Sequence, residues 1–268
     1  MKYTKPILLF FLIFIPMVVL LSSTSGPVAL VILIYPFSAI IGALIGYVLA
    51  PLFLFVYKKL IGRKLLYGIQ DRPNPEKFSG TLKGFFPALM AANFSLSLIF
   101  SPTIMDFPLF SGFYTEWQGI ILLFFILGGI TIGVAIILFS AVWTIMDAGI
   151  VSTNKEKVEN KRDPVELRSV GGWYLAFLKG YAGISVLIGL YTFLINLIDT
   201  YGNEVHFSVI IFFAILPLII AIWIIPAIII FDKTYENRKK YVLKFSKKIG
   251  IKQEIHMKII KAEILKDL

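Results

Sequence analysis

Six long apolar runs constrain the fold of this 268-residue chain more than any other feature. They cover residues 6–21, 28–57, 84–100, 118–146, 180–198 and 207–231. A helix that crosses the hydrocarbon core of a bilayer needs about 20 mainly apolar residues. Only 16% of the chain is charged, whereas a soluble domain carries about 25% charged residues. The sequence therefore predicts an all-α integral membrane protein with six transmembrane helices, and it argues against a soluble domain or a nucleic-acid-binding protein.

The basic residues between these runs set the orientation of the chain. All 26 Lys and Arg lie before the first run, in the segments 58–83 and 155–179, or after Phe231. The connections 22–27, 101–117 and 199–206 contain none. Because basic residues near span ends remain on the cytoplasmic side, we expect a multi-pass protein of the cell membrane with both termini cytoplasmic. Residues 1–231 would form the membrane domain and residues 232–268 a basic cytoplasmic tail.

The first run also resembles a signal peptide. Lys2 and Lys5 precede it, and the polar stretch Ser22–Ser25 follows it. It lacks an Ala-x-Ala-like cleavage site, so we expect it to be retained as a span. Cleavage would leave the orientation of the other spans unchanged.

Two cytoplasmic loops share a pattern that suggests an internal repeat. Each contains Pro, Glu, a basic residue, Ser and Gly, and then Leu-Lys-Gly-aromatic at the membrane entry, at Leu82–Phe85 and Leu178–Tyr181. This pattern fits a parallel repeat of helical hairpins. The alternative is that Lys followed by an aromatic residue is the usual composition of a span entering the interface.

The interiors of the predicted spans carry little that could support catalysis or ion coupling. They contain no Lys, Arg, His or Glu, and the chain has no Cys. Pumps and proton-coupled carriers use charged groups within the membrane. The sequence also lacks the zinc-protease, serine-hydrolase and phosphate-loop motifs. We therefore expect a non-enzymatic protein with no catalytic, cofactor or metal site.

Small and polar residues within the spans indicate how helices could pack. Ser38, Gly42, Gly46 and Ala50 recur every four residues and form a ridge, which lets helix backbones approach closely in lipid. We expect this ridge to hold the bundle together, and a homo-oligomeric contact is the alternative.

Amide and hydroxyl side chains within the third and fifth runs have two interpretations. Asn93, Ser97 and Asn196 either form hydrogen bonds between helices or line a polar cavity.

The second cytoplasmic loop contains a candidate site formed by Asp147, Asn154, Arg162, Arg168 and Trp173. Asp147 lies at the cytoplasmic end of an inward-running helix, where the partial negative charge of the last turn disfavours an acid unless it is paired. We expect Arg162 or Arg168 to supply the partner.

The aromatic stretch 169–178 around Trp173 is too short to span a bilayer. It predicts an interfacial segment that leads into the fifth span, either as a connector or as a docking element with a hinge at Gly171 and Gly172.

The tail carries an apolar stripe at helical spacing. Its members include Ile251, Ile255, Ile259 and Leu265. This spacing predicts an amphipathic helix, which needs the membrane surface, a protein partner or a second copy to cover its stripe. The basic residues of the stretch 238–248 suit anionic lipid.

The leading functional hypothesis is a scaffold or assembly factor. It would present a basic cytoplasmic surface to anionic lipid headgroups or to a protein partner. The alternative is a transport component, either a channel-like or facilitator-like conduit or a permease subunit energised by another protein.

The six-span topology makes a direct prediction for cysteine labelling. Cysteines introduced at Ser25, Ser111 or Asn203 should react with an impermeant maleimide on intact cells, and those at Ser79 or Ser169 should react only after the membrane is opened. External labelling at Ser79 would contradict the topology.

Overall fold

A computed structural model of the protein describes residues 3–24, 33–61, 64–67, 117–153, 168–201 and 221–251. This part of the chain is mostly helical, which confirms the helical part of the sequence prediction. The helices are α1 (Thr4–Thr24), α2 (Ile34–Ile61), α3 (Trp117–Asp147), α4 (Val170–Tyr201), α5 (Ile225–Lys233) and α6 (Tyr235–Lys248). The strands are β1 (Lys64–Tyr67), β2 (Ile150–Thr153) and β3 (Arg168–Ser169).

Two of the described helices have the length and apolarity that a bilayer span requires. These are α2 and the Gly128–Asp147 part of α3, and α1 contributes a shorter apolar helix over Thr4–Val19. The apolar run 84–100 lies outside the described residues, and the run 207–231 is described only from residue 221.

The chain divides into two compact units. Unit 1 consists of Met1–Ala43, Lys77–Ile136 and Lys179–Ile230, and unit 2 consists of Leu44–Glu76, Ile137–Leu178 and Phe231–Leu268.

Within unit 1, small residues bring the backbones of α2 and α3 together. A methyl group added at Gly42 would lie 2.6 Å from the carbonyl oxygen of Gly133. One added at Gly129 would lie 3.2 Å from the hydroxyl oxygen of Ser38. The ridge residues Ser38 and Gly42 therefore pack against the glycines of α3 within one chain.

Within unit 2, the same two helices remain close. A methyl group added at Gly46 would lie 2.7 Å from the hydroxyl oxygen of Ser140. The apolar core of this unit is drawn from α2, α3, α4, α6 and the strands. Its members include Ala50, Leu54, Tyr57, Leu65, Ala141, Ile145, Ile150, Val170, Val242 and Ile251.

A small antiparallel sheet in unit 2 has the strand order β1-β2-β3. Lys64 pairs with Thr153, and Val151 pairs with Ser169. Helix α3 ends at Asp147, and the turn after it contains a glycine with positive φ (Gly149, φ 69°), whose N–H donates to the carbonyl of Met146 at 3.0 Å. A left-handed residue of this kind ends a helix at little steric cost when it is glycine, and the chain then enters β2.

Residues 170–178, expected to form an interfacial segment, belong to the first turns of α4. Helix α4 runs without a break from Val170, and the Ser169 hydroxyl accepts a hydrogen bond from the N–H of Gly172 at 3.0 Å, as an N-cap does. A methyl group at Gly171 would lie 2.9 Å from the backbone nitrogen of Met146. Gly171 and Gly172 therefore belong to the first turn of a helix, and Gly171 serves close packing on α3.

The close approach at Gly46 can be tested by Gly46→Leu. Filling a contact of this kind costs about 1–3 kcal/mol in a well-packed interior, so the variant should have a lower melting temperature in detergent. Gly183→Leu is the matched control, because a methyl group there meets nothing within 4 Å. Equal melting temperatures for the two variants would contradict the packing described here.

Candidate functional site

A buried ion pair joins α6 to the end of α3 in unit 2. Arg238 donates from Nη2 to Oδ2 of Asp147 at 3.0 Å, and the two side chains are 2% and 7% exposed. The guanidinium offsets both the carboxylate and the partial negative charge of the helix end. This partner of Asp147 comes from 91 residues away in the sequence, and the sequence pattern did not indicate it.

The arginines expected to pair with Asp147 are not placed by the structure. Arg162 and Asn154 lie outside the described residues, and Arg168 begins β3 with a side chain that is also outside them. No signal within the loop itself could have pointed to Arg238.

Two aromatic rings lie near the Arg238 guanidinium. Its central carbon lies 3.4 Å from the centroid of the Phe231 ring and 5.7 Å from that of Tyr235, which are cation–π distances. Burial lowers the pKa of Arg238 to about 10, while the nearby Asp147 acts to raise it. Arg238 is therefore protonated at neutral pH, and the pair is an ionic one.

Helix α6 is amphipathic, with a polar buried side. Arg238, Val242 and Ser246 are buried at successive intervals of four residues, and the Ser246 hydroxyl donates to the carbonyl of Val242 at 2.7 Å. The opposite side exposes a set of lysines, which we call the lysine face. It consists of Lys240, Lys244, Lys247 and Lys248.

By its sequence the basic stretch 238–248 suits anionic lipid, and the structure corrects this for Arg238, which is buried within unit 2. The exposed basic residues of this stretch are those of the lysine face.

Helix α6 runs beside α2 in the same direction. The Tyr241 ring lies 5.1 Å from the ring of Tyr47, and the Tyr241 hydroxyl donates to the carbonyl of Val48 at 3.3 Å. Further along both helices, Nζ of Lys58 donates to the carbonyl of Ile249 at 2.5 Å. These contacts and the ion pair hold α6 in one orientation, with its lysine face outward.

Helix α6 ends before the tail helix expected over residues 251–268. Gly250 has a φ of 77°, and its N–H donates to Lys247 O at 3.1 Å while the N–H of Ile251 donates to Ser246 O at 3.0 Å. This pair of bonds is a Schellman motif. Ile251 is 4% exposed and belongs to the core of unit 2, so it does not lie on the external face expected for it. Ile255, Ile259 and Leu265 lie outside the described residues.

Trp173 belongs to an aromatic cluster at the start of α4. Its ring lies 5.4 Å from that of Tyr57, and the neighbouring Tyr174 donates its hydroxyl to the carbonyl of Phe53 at 2.8 Å. Tyr57 in turn shares a 2.9 Å hydrogen bond with Ser152 of β2. Trp173 is 41% exposed, so the cluster ties α4 and the sheet to α2 and leaves one ring at the surface.

In unit 1, the structure describes an apolar groove of about 470 Å³. Its lining includes Phe10, Phe14, Phe37, Ile40 and Pro226. Asn93 and Ser97 lie outside the described residues, as does the side chain of Asn196, so the polar cavity considered for these residues is not placed.

Among the described residues, no group of three or more His, Cys, Asp or Glu could hold a metal ion. No protein-family model, curated protein or solved structure matches this chain.

The ion pair makes a prediction for Asp147→Asn. Removing the carboxylate leaves the buried guanidinium without its hydrogen-bonded counter-charge, which typically costs about 3–5 kcal/mol. The variant should therefore lose hydrogen-exchange protection along α6 and melt at a lower temperature. The exposed Lys240→Met serves as the control and should change neither property.

The double variant Asp147→Leu/Arg238→Met separates the charge effect from packing. An apolar pair of similar volume removes both buried charges, so it should recover much of the lost stability. If Asp147→Asn behaved like Lys240→Met, the pair would have no part in holding α6.

Proposed function

We propose that this protein is a non-enzymatic membrane scaffold that presents the lysine face of α6 at the cytoplasmic surface. The proposal includes six spans with both termini cytoplasmic, which the distribution of Lys and Arg supports. Helices α2 and α3, long and apolar enough to cross a bilayer, supply the membrane anchor.

One observation carries this proposal, namely that α6 is charged on one side and fixed on the other. Lys240, Lys244, Lys247 and Lys248 are exposed, while Arg238 on the opposite side is committed to Asp147. A basic helix held in one orientation offers a constant pattern of charge to an acidic partner or to anionic headgroups. A freely moving basic tail would have to be ordered at each binding event.

The groove described in unit 1 does not favour the transport alternative. The groove in unit 1 is lined by apolar side chains, which do not offer a polar solute the hydrogen bonds that a translocation path requires.

Photo-crosslinking in cells tests the scaffold. Benzoylphenylalanine placed at Asn237, an exposed position on the side of α6 that carries the lysines, should yield a reproducible adduct with a protein or a lipid. Replacing Lys240, Lys244 and Lys247 by Glu should remove the adduct. A positive charge near an anionic surface is worth about 1 kcal/mol, so the loss of three positive charges alone reduces binding about 100-fold, and the three new negative charges reduce it further.

The matched control replaces the same three lysines by Arg, which preserves the charge and should preserve the adduct. An adduct pattern that is the same in the Glu and Arg variants would show that the lysine face binds nothing, and the scaffold proposal would fail.

A further inference from the structure

Helix α6 follows the course of α2 within unit 2, and this direction limits what its lysine face can meet. In the middle of α6, the Tyr241 hydroxyl donates to the carbonyl of Val48. Just after the end of α6, the carbonyl of Ile249 accepts from Nζ of Lys58. As α6 advances from Tyr241 to Ile249, its contacts therefore advance along α2 from Val48 to Lys58, so the two helices run side by side.

The direction of α2 relative to the bilayer follows from the proposed function, on which this inference rests. There α2 crosses the membrane, and its end, which carries Lys58 and Lys59, is cytoplasmic. A helix that runs beside α2 in the same direction points away from the membrane and does not lie flat on it. Lys240 is then the residue of the lysine face nearest to the bilayer, and Lys248 is the farthest from it.

The lysine face is longer than a headgroup layer is deep. Lys240 and Lys248 lie eight residues apart, which is about 12 Å along a helix, whereas the headgroup region of one leaflet is about 5–8 Å deep. The attraction of an anionic surface falls off within a Debye length, about 8 Å at physiological salt. Headgroups would therefore hold the near end of the lysine face and leave Lys247 and Lys248 uncovered.

The charge and spacing of the lysine face indicate which partner would match its full length. Apart from these lysines, α6 exposes only Glu236 and Asn237. Lys240, Lys244 and Lys247 follow one another in steps of four and three residues, which places a positive charge about every 5 Å along one side of the helix. An acidic helix with the same steps repeats its carboxylates at the same interval. An extended strand does not, because its side chains on one face recur about every 7 Å.

We propose that the lysine face binds an acidic helix of a partner protein. The partner helix carries Glu or Asp in steps of three and four residues and lies along α6, pointing away from the bilayer. This names a protein, and not lipid headgroups, as the ligand of the proposed scaffold. Because exposed ion pairs are individually weak, the contact needs several lysines together and is sensitive to salt.

Peptide binding to the full-length protein in phosphatidylcholine nanodiscs tests this inference. The probe is a stapled helical peptide as long as α6, with glutamates in steps of three and four residues. The matched control peptide has the same composition, with its glutamates distributed around the helix. The striped peptide should bind at least about tenfold more tightly by fluorescence anisotropy, since it pairs with the whole lysine face. Equal affinities for the two peptides would overturn the inference.

Single substitutions show whether both ends of the lysine face take part. Lys240→Glu and Lys247→Glu should each weaken binding of the striped peptide at least about threefold. Lys240→Arg and Lys247→Arg are the matched controls and should leave the affinity unchanged. A loss confined to Lys240→Glu would contradict a partner that lies along the full length of α6.

The lipid alternative is measured by acetylation of the same lysines with a neutral reagent. Replacing half of the phosphatidylcholine in the nanodiscs by phosphatidylserine should slow the acetylation of Lys240, and it should change that of Lys247 less than about twofold. Equal protection of both lysines would show that headgroups cover the whole lysine face. That result would overturn this inference and leave the scaffold standing, whereas the scaffold itself fails if photo-crosslinking from Asn237 yields no adduct that depends on the lysines.

Discussion

Much of unit 2 depends on the burial of one ion pair. Moving a carboxylate and a guanidinium out of water costs several kcal/mol for each ion, and Asp147 and Arg238 are both nearly inaccessible. The pair is tolerated because the two charges meet directly and because the guanidinium lies against Phe231. Burying either charge without the other would cost several kcal/mol, so the docking of α6 and the conformation at the end of α3 depend on each other.

A second physical constraint is the close approach of backbones that glycine allows. Helix association within a bilayer relies on van der Waals contact, because lipid tails are as apolar as the helices themselves. Gly42 in unit 1 and Gly46 in unit 2 each lie against the backbone or a small side chain of α3. Gly171 meets the backbone of α3 in the same manner at the start of α4. The small residues are therefore required by neighbouring atoms, and a larger side chain at these positions would push the helices apart.

The sequence predicted the features that follow from local composition. Apolar runs predicted helices at α1, α2, α3 and α4, since the bilayer requires length and apolarity that can be read from consecutive residues. It did not predict the sheet, because strands as short as Arg168–Ser169 have too few residues for an alternating pattern. The partner of Asp147 was out of reach for a different reason. Pairing over 91 residues depends on how helices are arranged in space, and a single sequence does not encode that arrangement as a local pattern.

Helix α6 shows why hydrophobic periodicity can overlook an amphipathic helix. Such patterns reveal a buried side when that side is apolar, whereas the buried side of α6 consists of Arg238, Val242 and Ser246. The arginine donates a hydrogen bond to Asp147, and the serine donates one to a backbone carbonyl of its own helix. The next segment has the opposite character, with an apolar stripe that periodicity reveals at once.

These two segments differ in how specifically they can dock. An ion pair requires one partner in one geometry, so it fixes the rotation of α6 and directs the lysine face outward. An apolar stripe such as the one predicted for the tail accepts any apolar surface of suitable length. The turn at Gly250 separates the two segments, because its left-handed glycine ends α6.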